Sequence, residues 1–241
     1  VIGAFLHMGI QIPFIFKKDT FPHIRFPIQW TAIKKVVLVS LSRSLTLSSN
    51  QLASFFLVAL ASLMSGGSIS IFNLALNLQS VPLSIVGVSY SSAVFPTLSR
   101  FFVEKRRNDF LKQMIDSSRH IVFWSIPMTV LFIVLRAQIV RTIYGAGQFD
   151  WADTRLTAAA LALFIVSVIG QSLILLFVRA YYAEGKTRKP LIINIISGLT
   201  IAALGYLFTK AFFAFPMFAY FLEDLLKVSG QVGTSVLVLP L

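Results

Sequence analysis

Polar side chains crowd the stretch from Ser40 to Gln51: Ser40, Ser42, Arg43, Ser44, Thr46, Ser48, Ser49, Asn50 and Gln51. At its centre Arg43 offers a planar guanidinium fork, which matches a phosphate or pyrophosphate in bidentate geometry. Asn50 stands seven residues further on, two helical turns away and on nearly the same face. A second set follows. Asn73, Asn77 and Ser80 fall at i, i+4 and i+7 on one face, with Gln79 beside them and Pro82 and Gly87 just beyond. Such residues attract an anion and offer hydrogen bonds to a polar ligand; they do not build an acid–base or nucleophilic centre. His7 and His120 are isolated, His23 is placed in a loop, and the chain has no cysteine. No metal site or thiol chemistry is therefore expected. A Gly-rich phosphate cradle, a Ser–His–Asp set and paired acids are also missing, so enzymatic activity and a bound cofactor are not expected.

The elements that carry these side chains follow from composition. Of 241 residues, 56% are hydrophobic and 12% charged, about half the roughly 25% charged content of soluble domains. Mean hydropathy is +0.82. A bilayer core of about 30 Å is crossed by roughly 20 apolar residues in a helix. Stretches of that length run at 36–64, 69–98, 120–140, 156–182 and 191–213, the third of them carrying Pro127. Val1–Phe16 reads as the tail of another span and the residues from Gly230 as the start of one more. The expectation is an all-α polytopic helix bundle with five complete transmembrane helices and two partial ones, part of a longer protein. Pro82 and Pro127 read as kinks, since neighbouring helices and hydroxyl side chains can satisfy the freed carbonyls.

Charge supplies the orientation. The formal net charge is +12, from 21 Lys and Arg against 9 Asp and Glu. A basic balance suits nucleic acid or a membrane surface; the apolar content selects the membrane and leaves no role for nucleic acid. Fifteen basic residues fall in alternate connections, at 17–35, 100–119 and 179–189, against five in the others. The positive-inside rule assigns the richer set to the cytoplasm. The excess charge is thus chiefly a topology signal, with attraction to anionic membrane lipids as a by-product.

Each polar residue within a span has two readings. Arg43 lies about 12 Å up the helix from Lys35. Either it snorkels to the cytoplasmic headgroups, or it faces a wet cavity and meets an anionic ligand. Asn50, Gln51, Asn73, Asn77 and Gln79 either line that cavity or bond one helix to another. The polar face beside Pro82 and Gly87 suits a mobile, cavity-lining helix with those two residues as a hinge.

Three groups of residues carry a family resemblance. The first runs through Gly67-Ser68-Ile69-Ser70, Asn77-Leu78-Gln79-Ser80-Val81-Pro82-Leu83, Gly87-Val88 and Phe95-Pro96-Thr97-Leu98-Ser99-Arg100. The second is Ile143-Tyr144-Gly145-Ala146-Gly147-Gln148-Phe149-Asp150 followed by Asp153-Thr154. The third is Arg179-Ala180-Tyr181-Tyr182-Ala183-Glu184-Gly185-Lys186-Thr187-Arg188-Lys189-Pro190. Together they resemble the MurJ/MviN lipid II flippases, members of the multidrug/oligosaccharidyl-lipid/polysaccharide exporter superfamily.

The resemblance implies two six-helix lobes around a central cavity, with two further helices in the MurJ-like branch. Residues 1–35 would hold the end of helix six and a cytoplasmic linker. Residues 36–241 would hold helices seven to eleven and the start of twelve, in the second lobe. The implied activity is translocation of lipid II, or a related polyprenyl-pyrophosphate glycolipid, across the bacterial cytoplasmic membrane by alternating access. The full-length protein would be a monomer, driven by membrane potential or by an ion the residues do not identify. Pro96, Gly145, Gly147, Arg179, Tyr182 and Pro190 would be structural motif positions. Two departures stand out. Many family members carry Arg at the position of Asn77, and the acidic sodium ligand of some members falls where this chain has Phe55-Phe56-Leu57-Val58. A flippase for another lipid-linked oligosaccharide, or a non-transporting scaffold of the same fold, are the alternatives.

Overall fold

The computed structural model describes residues 30–147, 149–229, 231 and 233–241, together with Gly3, Leu6, His7 and Gly9. Within the first helix several side chains, those of Arg43 and Asn50 among them, lie outside the described set. The expected partial span at Val1–Phe16 falls almost wholly outside it. The chain divides into two compact units, 1–40 and 41–241. In the first unit residues 30–40 are helical, with Trp30, Val36 and Val37 exposed.

The elements are α1 (Trp30–Ser62), α2 (Ser68–Pro82), a π-helical segment (Leu83–Val88), α3 (Ser89–Val103), α4 (Arg107–Val134), α5 (Arg136–Tyr144), α6 (Trp151–Ala183), α7 (Arg188–Ala214), α8 (Pro216–Leu226) and a 3-10 turn (Thr234–Val238). No strand occurs among the described residues. Among the described residues four rods are long and apolar enough to cross a membrane: Ser68–Val103, Arg107–Val134, Trp151–Ala183 and Arg188–Ala214. The fifth expected span corresponds to α1, whose apolar part Gln51–Ser62 is shorter. Several boundaries differ from the sequence expectation. The basic stretch 100–119 is not a loop: the connection is only Glu104–Arg106, Arg100 lies on α3, and Arg107, Lys112 and Arg119 lie on α4. The span expected at 120–140 ends at Val134, and a separate helix, α5, follows. Helix α8 was not foreseen. Where the start of a further span is expected after Gly230, Thr234–Val238 form a buried 3-10 turn.

α6 is the axis of the second unit; α2, the π segment, α3, α4, α5, α7 and the 3-10 turn all pack on it. Its first half can take neighbours on every side because Leu156-Thr157-Ala158-Ala159-Ala160-Leu161-Ala162 is wholly buried. Lipid tails are as apolar as leucine, so helix association relies on close approach, and small side chains permit it. One core cluster gathers Phe72, Leu161, Ile165, Val140, Val236 and Leu237, with the rings of Phe72 and Phe164 edge to face at 5.4 Å. A second gathers Val86, Leu98, Phe110, Ile121 and Leu176. α7 contrasts with α6, for only its Pro190 and Gly205 are buried. A Cβ on Gly205 would sit 3.1 Å from Leu57 Cδ2, so this glycine is where α7 closes on α1.

The start of α6 is fixed by a capping box. Asp150 accepts a bond from the Asp153 amide at 2.8 Å, and the Asp153 carboxylate accepts one from the Asp150 amide at 3.3 Å. Before it, Gly147 turns the chain at φ +70°. Gly145 lies so close to Arg141 that a Cβ would meet the Arg141 carbonyl oxygen at 2.2 Å. The Gly145–Gly147 motif is thus a tight reversal between α5 and α6.

Pro82 is buried inside a continuous rod, and the wider π turns begin at the next residue. Proline has no amide to give to the ladder, and a π segment is one way a membrane helix accommodates that loss. Gly87, within this segment, presses on α6: a Cβ there would meet Ser172 Oγ at 2.8 Å and Ser172 Cα at 3.0 Å. Gly87→Ala is expected to lower stability by about 1–3 kcal/mol through overpacking, and adding Ser172→Gly should return part of the loss. Thermal unfolding of the purified variants in one detergent checks both.

Candidate functional site

The connections sort onto two ends of the bundle. Lys105, Arg107, Glu184 and Lys186, from two of the three stretches assigned to the cytoplasm, border one depression. At the other end Tyr144 donates to the Leu74 carbonyl at 3.5 Å, and Gly233 lies against Ser65. Arg155 bonds the Lys227 carbonyl, and Thr234 bonds Glu223 at 2.7 Å. The charge asymmetry read from the sequence is therefore a real asymmetry of the folded unit.

Between these ends α2 presents two different faces. At about 100° per residue, Asn73, Asn77 and Ser80 fall within roughly 60° of arc, while Gln79 lies about 120° from Asn73. Asn73, Asn77 and Ser80 are exposed, and the row continues through exposed Ser84 and Ser92. Its serines satisfy their own protons along the helix. Ser80 donates to the Asn77 carbonyl at 2.6 Å, Ser84 to Ser80 at 2.7 Å and Ser92 to Val88 at 2.7 Å. Each hydroxyl oxygen keeps acceptor capacity directed outward. This polar row runs along a helix of membrane-crossing length.

Gln79 belongs to the other face, and its assignment to the cavity is corrected. It is buried, and its Nε2 donates to the Phe164 carbonyl at 3.0 Å and to Ser167 Oγ at 2.8 Å. Gln171 donates to the same hydroxyl at 2.7 Å. Gln79, Ser167 and Gln171 together tie α2 to α6. The angular offset of Gln79 from Asn77 already separates the two roles, and the adjacency in sequence concealed it. Gln51 is exposed on α1, whereas the Arg43 and Asn50 side chains lie outside the described residues. The structure therefore brings together Asn73 and Asn77 with serines not singled out before, Ser84 and Ser92.

The remaining motif residues are distributed through the scaffold. Pro96 is an exposed residue inside α3; Arg179 and Tyr182 are half-buried near the end of α6; and Pro190 is buried in the first turn of α7. At the basic end Arg106 bonds Asp109 at 2.8 Å and Glu104 at 3.4 Å. These bonds, that to Asp109 foremost, raise its guanidinium above the ordinary arginine range. No group of three or more His, Cys, Asp or Glu able to hold a metal occurs among the described residues.

The sequence profile of the family described as "Lipid II flippase MurJ" matches residues 1–220. The chain belongs to the MurJ family. A "Probable lipid II flippase MurJ" of Thermotoga maritima is 25% identical over 217 residues, covering 81% of this chain and 45% of the relative. A protein of the same description from Rickettsia prowazekii is 29% identical over 195 residues, covering 78% and 38%. The chain thus spans less than half the length of these MurJ relatives. Among solved structures, "Lipid II flippase MurJ, inward closed conformation" superposes with a TM-score of 0.62 at 22% identity, covering 81% of this chain and 37% of that one. That likeness establishes the MurJ fold of the bundle. Residues 221–241, which include the 3-10 turn, lie beyond the matched stretch.

The two faces of α2 should respond differently to substitution. Gln79→Leu is expected to cost about 1–2 kcal/mol, within the range for interhelical hydrogen bonds in membranes. Asn77→Leu should be neutral within about 0.5 kcal/mol, as substitutions away from packed features are. Unfolding in a denaturing detergent series distinguishes the two.

Proposed function

We propose that this chain forms the second lobe of a lipid II flippase, which moves a polyprenyl-pyrophosphate glycolipid from the cytoplasmic to the outer leaflet of the bacterial cytoplasmic membrane. The observation that carries this reading is the exposed row Asn73, Asn77, Ser80, Ser84 and Ser92 on a rod long enough to cross the bilayer. Amide groups facing hydrocarbon are costly, so such a row belongs against water, another part of the protein or a polar ligand. A sugar–peptide headgroup is rich in hydroxyls and amides and pairs with this kind of surface, while its isoprenoid tail stays in lipid.

In this reading the work is transport without covalent chemistry. Arg43 attracts the pyrophosphate through its guanidinium fork. Asn50, Asn73 and Asn77 exchange hydrogen bonds with sugar and peptide, and Gln51 extends that surface. Alternating access moves one lobe against the other around the headgroup. The rod bends at Pro82 and the π segment, where the ladder is already short of one amide, while Gly87 keeps its contact with Ser172. The driving force is the membrane potential or a coupled ion, and the full-length protein acts as a monomer. Uncharged Asn77, at a position where many family members carry Arg, shifts the recognition of phosphate charge toward Arg43 and favours a second reading, a carrier for another lipid-linked oligosaccharide.

The test uses the full-length protein in liposomes carrying fluorescent lipid II, with leaflet exposure as the readout. Arg43→Ala and the double variant Asn73→Leu/Asn77→Leu are each expected to slow translocation at least about tenfold, the loss of roughly 1.4 kcal/mol of recognition. Their unfolding temperatures should stay near that of the parent. Unchanged translocation in both would overturn the assignment. Faster translocation of an O-antigen-type carrier lipid than of lipid II would favour the second reading.

A further inference from the structure

The basic end of the bundle carries two depressions that the transport reading leaves without a role. One, of about 520 Å3, is bordered by Lys105, Arg107, Glu184 and Lys186 with Phe101 and Phe110. The other, of about 500 Å3, is bordered by Met114, Ile174, Phe177, Tyr181, Glu184 and Ile193. They meet at Glu184, and Phe110 and Met114, one helical turn apart on α4, line one each. The first is cationic: three positive side chains face one carboxylate, and that carboxylate is engaged by Lys186 at 2.5 Å. The second is apolar, apart from Glu184, Asn194 and the Tyr181 hydroxyl, and Lys189 stands over the Tyr181 ring at 6.0 Å.

Length and charge point to the same occupant. From Glu184 back to Ile174 the groove follows α6 for about 15 Å, half of a roughly 30 Å hydrocarbon core and therefore one leaflet deep. The cations sit at the end of the groove where the charge asymmetry places the cytoplasmic headgroups. The backbone at Lys105 adds an independent observation. Two connections at this end close with the same helix-ending turn. Lys186 N–H bonds the Tyr181 carbonyl at 2.9 Å with Gly185 left-handed at φ +70°, and Arg106 N–H bonds the Phe101 carbonyl at 2.9 Å with Lys105 at φ +56°. Glycine takes this conformation without strain and lysine does not. The strained position is occupied by a cation that borders the cationic depression, a pattern in which local strain accompanies a working side chain. The neighbouring Arg106 is already committed to Asp109 and Glu104.

We propose that this double depression is a binding site for one anionic phospholipid of the cytoplasmic leaflet, separate from the transported substrate. The phosphate lies among Lys105, Arg107 and Lys186, and one acyl chain lies in the groove between α4, α6 and α7. Since α7 is otherwise scarcely buried, the chain also fills the seam along which α7 joins the bundle. The proposal does not depend on what the protein transports.

The test titrates the purified full-length protein, in a mild non-ionic detergent, with dioleoyl phosphatidylglycerol or dioleoyl phosphatidylcholine. Bound lipid is counted by native mass spectrometry. Phosphatidylglycerol is expected to bind at least about tenfold more tightly. K105G/R107Q should reduce its affinity about twenty-fivefold, near fivefold for each cation removed, whereas the matched pair R136Q/K210Q at the opposite end should leave it unchanged. K105G alone should weaken binding and unfold no lower than the parent, because it removes the left-handed lysine, so loss of fold cannot mimic the result. V178W, which fills the groove without altering charge, should also weaken binding. The proposal is overturned if the two lipids bind alike or if both charge pairs reduce binding equally. It is also overturned if V178W is without effect while millimolar inorganic phosphate displaces the lipid, which would leave only a headgroup site.

Discussion

How closely its neighbours can approach α6 governs the second unit. In water, apolar side chains drive helices together; in a bilayer that drive is lost, and van der Waals contact with interhelical bonds must hold the bundle. The fully buried run Leu156–Ala162 answers with four alanines and a threonine beside two leucines. Gly87 against Ser172 and Gly205 against Leu57 repeat the device at separate points. Each removes the side chain that would hold two backbones apart. The capping box at Asp150 and Asp153 sets where α6 begins and hence which residues meet these contacts. A shift of one residue would rotate the helix by about 100° and set larger side chains where the alanines now admit a neighbouring helix.

The same solvent sorts the polar residues. An amide in hydrocarbon needs a partner, and α2 supplies two solutions on one rod. Gln79 finds its partners across the helix interface in Phe164 and Ser167, where it acts as a fastening. Asn73 and Asn77 stay exposed on the other face, and the adjoining serines quiet their own protons against the helix carbonyls. The buried hydroxyls of Ser125, Thr129, Thr157 and Ser172 have no partner among the described residues. Small hydroxyls are tolerated there because they keep the helices close. The location of a polar group thus separates one that fastens helices from one left open on the surface, and residue type alone does not.

Much of this was legible beforehand, for reasons that particular residues make plain. Span length and the alternation of Lys and Arg depend only on bilayer thickness and leaflet charge, so the helical architecture and its two ends could be read directly. The face shared by Asn73, Asn77 and Ser80 follows from helical geometry. Gln79 was grouped with them by adjacency, although its angle sets it apart. Hydropathy could not reveal that α4 continues through Arg107–Arg119, because a helix that extends past the bilayer is as polar there as a loop. Nor could it foresee α8 or the buried turn at Thr234–Val238. That turn is apolar enough to suggest a new span, yet its Val236 and Leu237 belong to the same buried core as Leu60, Leu156 and Val140. Apolar sequence reports that a segment is buried, not whether lipid or protein buries it.

The three non-helical junctions that end α3, α6 and α8 show how little sequence distinguishes a scaffold turn from a functional one. All use the same closure, in which a left-handed residue, Lys105, Gly185 or Lys227, is followed by an amide that bonds the carbonyl five residues back. An L-residue there costs about 1–2 kcal/mol relative to glycine. At Gly185 the cost is avoided. At Lys227 the side chain bonds Asp224 of its own helix at 3.3 Å on an exposed surface, which returns little. At Lys105 it borders a depression shared with Arg107 and Lys186. The conformational penalty is the same at both lysines, so strain alone does not identify a site. What separates them is the neighbourhood: two further cations, a carboxylate already neutralised, and an apolar groove of one-leaflet depth leading away. A topology signal written in lysine and arginine becomes a binding surface only where the fold gathers those charges beside such a groove.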